Sequence, residues 1–168
     1  MTILKILQHP DVRLRRKGIP VTDFGEKIQT IIDDMFETHY AQTDCAALAA
    51  TQLDLADAPH ITVIDFSEAQ NQPLCLVNAH ITEKSGETYE SEACMSVMNN
   101  GSVLFEKVKR AERIVVETQD RFGKPMTIEA DGFLAKCIQH ELDHLEGILF
   151  IDHLSQIKRK RLFEKTKK

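Results

Sequence analysis

The chain has 168 residues, 42% hydrophobic and 28% charged, with a formal net charge of −5. That length is close to one ordinary domain and can bury a core without disulfide or metal staples. The acidic balance excludes general nucleic-acid binding over the whole surface, and no apolar run approaches the ~20 residues of a membrane span.

Residues 1–21, broken by Pro10 and Pro20, read as extended or irregular. The opening M-T-I-L-K-I-L-Q-H-P has no signal-peptide apolar region and no small-residue cleavage site. Cys45, Cys75, Cys94 and Cys137 form no C-x-x-C pair. With no export signal they read as reduced thiols, which places the chain in the cytoplasm. Thr22 or Asp23 can cap a first helix. Phe24, Ile28, Ile31, Ile32, Met35 and Phe36 then recur at spacings of three and four, which predicts an amphipathic helix to about Tyr40.

The middle reads as strands at 61–66, 73–78, 87–92, 103–108 and 113–118, each short and rich in β-branched or aromatic residues. Asn71-Gln72-Pro73, Ser85-Gly86 and Asn99-Asn100-Gly101 mark turns. Asp120 to Pro125 predicts a hairpin after which M-T-I-E-A pairs back. Asp131-Gly132 opens a second helix with Leu134, Cys137, Ile138, Leu142 and Leu145 on its apolar face, and Gly147 stops it. I-L-F-I (148–151) reads as a short strand, and a basic helix closes the chain. Without repeats or linkers, residues 1–168 form one domain of the α+β class. Its antiparallel strands pack around a central helix, with one helix in the N-terminal half and one at the C-terminus.

The second helix carries His140-Glu141-Leu142-Asp143-His144, the pattern H-E-x-x-H. Residues four apart share a helix face, so both histidines can reach one ion. Glu141 lies about 100° round the helix, beside the ion rather than on it, where a general base for water belongs. The pattern alone suggests a zinc protease. It equally allows two exposed histidines on a helix face. A catalytic metal needs a third protein ligand, and Cys94, another histidine or a distant glutamate could supply it. His9, His39, His60, His80 and His153 lack patterned neighbours and read as surface or turn residues. Cys137 and Cys75 read as core.

Three segments in order resemble the signature motifs of bacterial peptide deformylases, G-x-G-x-A-A-x-Q, E-G-C-L-S and H-E-x-D-H. Here they are C-A-A-L-A-A-T-Q (45–52), E-A-C-M-S (92–96) and H-E-L-D-H (140–144). The resemblance also takes in I-L-Q-H-P-D-V-R-L-R, D-R-F-G-K-P, and E-A-D-G-F-L-A-K-C-I-Q-H running on to G-I-L-F-I-D, so it spans essentially the whole chain. It implies that Cys94, His140 and His144 hold one divalent ion. Fe²⁺ would be the native metal, and Zn²⁺, Ni²⁺ or Co²⁺ able to replace it. It implies hydrolysis of the N-terminal formyl group of nascent peptides with release of formate. Glu141 would act as base and then acid on water activated at the metal. The Gln52 side chain and the Met95 backbone N–H would donate to the oxyanion. The peptide would add as a strand against Ala46, Ala47, Glu92 and Ala93, with its methionine side chain near Phe133 and Cys137. Asp143 would pair with a cation behind the site, Arg110 being the candidate.

The chain departs from the pattern at three glycines, replaced by Cys45, Ala47 and Ala93. Met98 stands where a proline often follows, the segment 97–108 is a few residues longer, and Lys136 occupies a position usually apolar near the pocket mouth. These changes touch binding rather than chemistry. Two other readings compete: a hydrolase of another small N-acyl group, which the added side chains disfavour, and a non-catalytic metal-binding protein, which retention of Glu141 and Gln52 disfavours. Residues 158–168 carry seven basic residues and one acid. They read either as a solubilising helix face or as a docking patch for RNA, and the resemblance turns this towards the ribosome. Membrane binding and sequence-specific nucleic-acid binding are not expected.

Overall fold

The computed structural model describes residues 1–164, so the last four residues of the basic tail lie outside it. Two long helices, α1 (Glu26–Tyr40) and α2 (Gly132–Leu145), pack with a mainly antiparallel set of strands, and a shorter α3 (Gln156–Glu164) follows. The fold is α+β. Five strands form the main sheet: β1 (Ala47–Ala49), β2 (Ile61–Ile64), β3 (Leu74–Ser85), β8 (Arg113–Gln119) and β9 (Pro125–Asp131), in the order β1-β2-β3-β8-β9. β4 (Thr88–Glu92) pairs with β7 (Glu106–Arg110), and β5 (Met98–Asn99) pairs with β6 (Ser102–Val103).

The alternation of strand side chains explains why both long helices are needed. All four residues of β2 are buried. Ile61 and Val63 join Ile32 and Met35 of α1, whereas Ile64 joins Ala135 and Ile138 of α2 together with Leu76, Ile114 and Val116. β2 is thus covered on both faces. A third cluster gathers Leu7, Leu14, Cys94, Val97, Leu149 and Phe150.

The turn chemistry behaves as its residue types require. Asn100 and Gly101 both have positive φ, 50° and 78°, and join β5 to β6 as a two-residue hairpin. β8 and β9 pair in register from Arg113↔Asp131 to Gln119↔Pro125, as the Asp120–Pro125 turn predicts. Gly147 ends α2 with its N–H on the His144 carbonyl (3.0 Å) and that of Ile148 on the Asp143 carbonyl (2.9 Å), the pair of bonds of a Schellman stop. Its φ is +74°, and a Cβ there would meet the Arg15 carbonyl oxygen at 2.3 Å.

Two expected strands differ. Residues 103–108 split: Val103 ends β6, Leu104 is buried in the third cluster, and β7 begins at Glu106. The I-L-F-I segment is not a strand. Phe150–His153 form a 3-10 turn, and Asp152 Oδ2 accepts the Leu149 N–H at 2.9 Å while also pairing with Arg15. A short apolar run does not by itself separate a buried strand from a buried turn. The N-terminal segment is irregular as expected, apart from a 3-10 turn at Val12–Arg15 whose start Asp11 caps.

Candidate active site

α2 presents His140 and His144 one turn apart, and both are buried. Thr51 Oγ1 donates to the His144 carbonyl at 2.8 Å and ties the helix to the turn that carries Gln52. The tight turn after β4 brings Cys94 to the same point. Its Sγ lies 3.2 Å from His144 Nε2, and the two Nε2 atoms are 3.2 Å apart. The three ligand atoms all lie within 4.8 Å of one another. A tetrahedral ion with bonds of about 2.0–2.3 Å spaces its ligands by roughly 3.3–3.6 Å, so the donor set fits one divalent ion by both spacing and chemistry.

The surroundings orient the donors. His140 Nδ1 lies 2.9 Å from Glu92 Oε1, which leaves Nε2 with its lone pair towards the cluster. Arg110 grips the same carboxylate with Nε at 2.8 Å and a second nitrogen at 2.9 Å, and reaches Asp143 at 2.6 Å. Arg110 is therefore the cation expected behind Asp143, and His153 Nε2 lies 2.8 Å from the same Asp143 carboxylate. Burial pushes the Glu92 carboxyl up, but the bonds from His140 and Arg110 outweigh this and hold it down to about 2. Burial disfavours the charged form of both histidines. At His140 the partners Cys94 and Glu92 outweigh burial and raise the ring, whereas His144, facing His140 and Arg110, falls well below the ordinary range. The Ser96 N–H points at Cys94 Sγ from 3.4 Å.

Gln52 is 1% exposed rather than sitting at an exposed strand edge. Its Oε1 accepts the Ala49 N–H at 2.9 Å, so its Nε2 faces Ser96 Oγ (3.1 Å) and Cys94 Sγ (3.6 Å). Glu141 is 4% exposed, its Oε2 has no hydrogen-bond partner among the described residues, and burial lifts its carboxyl to about 7. The Met95 carbonyl accepts from Gln8 at 2.7 Å, while its N–H meets no acceptor among the described residues. Three side chains able to hold an ion, the buried Glu141 carboxylate next to His140 in the chain and the Gln52 amide facing Cys94 Sγ therefore form an arrangement suited to water-dependent cleavage of an acyl bond.

The expected peptide-binding positions are distributed more unevenly. β1, which holds Ala47, is an outer strand of the main sheet, so one of its edges has no strand partner among the described residues. The Ala46 carbonyl is already taken by the Asp65 N–H at 3.0 Å. Ala93 is half-buried, beside Cys94. The Glu92 side chain, expected at the substrate, is committed to His140 and Arg110. Phe133 is exposed and meets Phe66 edge-on with ring centroids 4.8 Å apart. Cys137 is buried, and burial lifts its thiol to about 12. None of Cys45, Ala47 and Ala93 adopts positive φ, so the backbone needs no glycine there. Cys45 turns to His39, with Sγ and Nδ1 3.3 Å apart. His39, which reads from the sequence as a surface or turn residue, is 2% exposed, with its Nε2 2.9 Å from the Asp65 carbonyl oxygen. Glu92 as the partner of His140 had no signal beyond its place two residues before Cys94.

The polypeptide deformylase family profile matches residues 3–160. A protein described as peptide deformylase 1 of Coxiella burnetii is 61% identical over 160 residues, covering 95% of this chain and 92% of that protein. The crystal structure of a peptide deformylase from Legionella pneumophila superposes with a TM-score of 0.87 at 41% identity, covering 98% of this chain and 95% of that one. A peptide deformylase from Ehrlichia chaffeensis, solved in complex with actinonin, gives 0.87 at 34% identity, with 99% and 97% covered.

Proposed function

The chain belongs to the polypeptide deformylase family, metal-dependent hydrolases of N-formylated nascent peptides, and we propose that Glu141 moves the protons of that reaction here. The observation that carries this reading is the buried Glu141 Oε2, which has no hydrogen-bond partner among the described residues, next in the chain to His140 of the Cys94, His140 and His144 cluster.

Cys94, His140 and His144 would hold the ion. When bound, a divalent ion supplies Lewis acidity and lowers the pKa of water. Glu141 takes a proton from the attacking water and returns it to the departing amine of the peptide. Gln52 Nε2 is held in place by its own Oε1 bond to Ala49 and donates to the oxygen that gains charge on the formyl carbon. The Met95 N–H is the second donor. The peptide lies along the open edge of β1, with Ala46, Ala47 and Ala93 beside its backbone and Phe133 and Cys137 beside its first side chain. A thiolate with two imidazoles suits several first-row metals, and the family resemblance favours Fe²⁺ over Zn²⁺, Ni²⁺ or Co²⁺. Residues 1–168 act as one catalytic domain, in the cytoplasm. No helix of the described residues is long and apolar enough to cross a membrane. No residue of α3 is fully buried, and it presents Lys158, Lys160 and Arg161 at its surface while Arg159 is half-buried beside Asp152; the exposed cations support contact of residues 158–168 with ribosomal phosphates and predict a steep salt dependence.

The test is hydrolysis of formyl-Met and acetyl-Met peptides, read as released formate and released acetate respectively, by anaerobically purified, metal-analysed protein. Wild type should act on the formyl peptide, and Glu141→Ala should lose about 10²–10⁴ in rate with its metal retained. Formate release at the wild-type rate in Glu141→Ala would refute the role of Glu141.

A further inference from the structure

Lys136 lies one turn before His140 on α2, so the two side chains leave the same helix face about 6 Å apart. On β4, Glu90 and Glu92 also share a face, about 6.6 Å apart. The two rises nearly match, and the structure uses this twice. Glu92 meets His140 at 2.9 Å, and Glu90 meets Lys136 Nζ at 3.3 Å. The inner rung belongs to the metal cluster. The outer rung spans the mouth of the same seam.

The outer rung is asymmetric. The Lys136 side chain is only 16% exposed, whereas that of Glu90 is 61% exposed. Lys136 is further held by the Ser91 carbonyl at 3.3 Å and by the Phe133 ring, whose centroid is 5.1 Å from Nζ. Its position does not depend on Glu90. A carboxylate that is mostly in water gains little from such a pair and can be exchanged for another. The seam therefore presents a fixed, largely desolvated cation with a replaceable partner, one helical turn from a metal ligand.

Resting on the deformylase reading, we propose that Lys136 is a specificity-determining residue that favours formyl peptides with an acidic side chain in their first two residues. The peptide carboxylate takes the place of Glu90 on the lysine. A cationic side chain in the same position is repelled.

The experiment compares kcat/KM for formyl tripeptides carrying Glu or Lys at the first or the second position, with formyl-Met-Ala-Ser measured alongside. The Glu-to-Lys ratio is taken within each preparation, so the fraction of active protein cancels. Wild type should prefer Glu by about 3- to 5-fold at one of the two positions at low salt, and less as salt rises. The ratio should fall to about one in Lys136→Met, survive in Lys136→Arg and grow in Glu90→Gln. Equal handling of both charges by wild type at both positions would overturn the proposal. So would a preference of wild-type size in Lys136→Met. If metal-loaded wild type released no formate even from formyl-Met-Ala-Ser, the deformylase reading itself would fall, and this proposal with it.

Discussion

Glu92→Gln tests the site at the point where structure and chemistry meet. The Glu92 carboxylate is 5% exposed and accepts three bonds: two from Arg110 at 2.8 and 2.9 Å and one from His140 at 2.9 Å. Glutamine keeps the shape but offers one oxygen and one amide nitrogen. At least one of these contacts then sets donor against donor, and the Arg110 charge loses its main counterion. Removing one member of a buried pair costs about 3–5 kcal/mol. Arg110 keeps Asp143 at 2.6 Å, so the expected loss is about 3 kcal/mol, read as a shift in the urea midpoint at unchanged slope. His140 loses the acceptor that fixes its Nδ1 proton, and metal affinity should fall about 10–100-fold, read by competition of Zn²⁺ or Co²⁺ against a chelator. Lower stability with wild-type metal affinity would refute the claim that Glu92 orients His140. Wild-type values of both would refute the buried pair as a determinant of the site.

Gln52→Leu should lower kcat by about 10²–10³ while the metal content stays at the wild-type level, because the lost group is an oxyanion donor and not a ligand; metal analysis beside a steady-state assay checks both halves. Gly147→Ala forces a Cβ to within 2.3 Å of the Arg15 carbonyl at φ +74° and should cost at least about 2 kcal/mol in urea unfolding. Asp65 is pushed up by burial, but the Ser67 and Tyr40 hydroxyls and the Ser67 and Gln72 N–H groups outweigh this and hold it below its ordinary 3.8. The stability it contributes is therefore present above pH 3.8 and lost as pH falls through the lower folded-state value. Asp65→Asn should cost about 1–3 kcal/mol at pH 7 and flatten that part of the acid-unfolding curve. Stripping the metal with a chelator should lower Tm, and readdition should restore it in proportion to the logarithm of free metal.

Much of this protein is legible in its residues because the signals are local. The 3–4 spacing in α1 and α2, the Asp120–Pro125 and Asn100-Gly101 turns and the Gly147 stop all follow from backbone preferences within a few residues. His140, Glu141 and His144 are likewise placed by helix geometry alone. The resemblance to deformylase motifs added Cys94 and Gln52, which no periodicity could have joined to the helix. The tertiary structure decided what depends on distance in space. It made Phe150–His153 a turn rather than a strand, through the Asp152 bonds, and it buried His39 against Asp65. It also gave Glu92 to His140 and Arg110 and set Lys136 across from Glu90. These contacts link residues 18 to 48 positions apart, except the Leu149–Asp152 bond at 3. A side chain's partner over such separations is set by how strand and helix lie together, and the chain's local pattern does not contain that information.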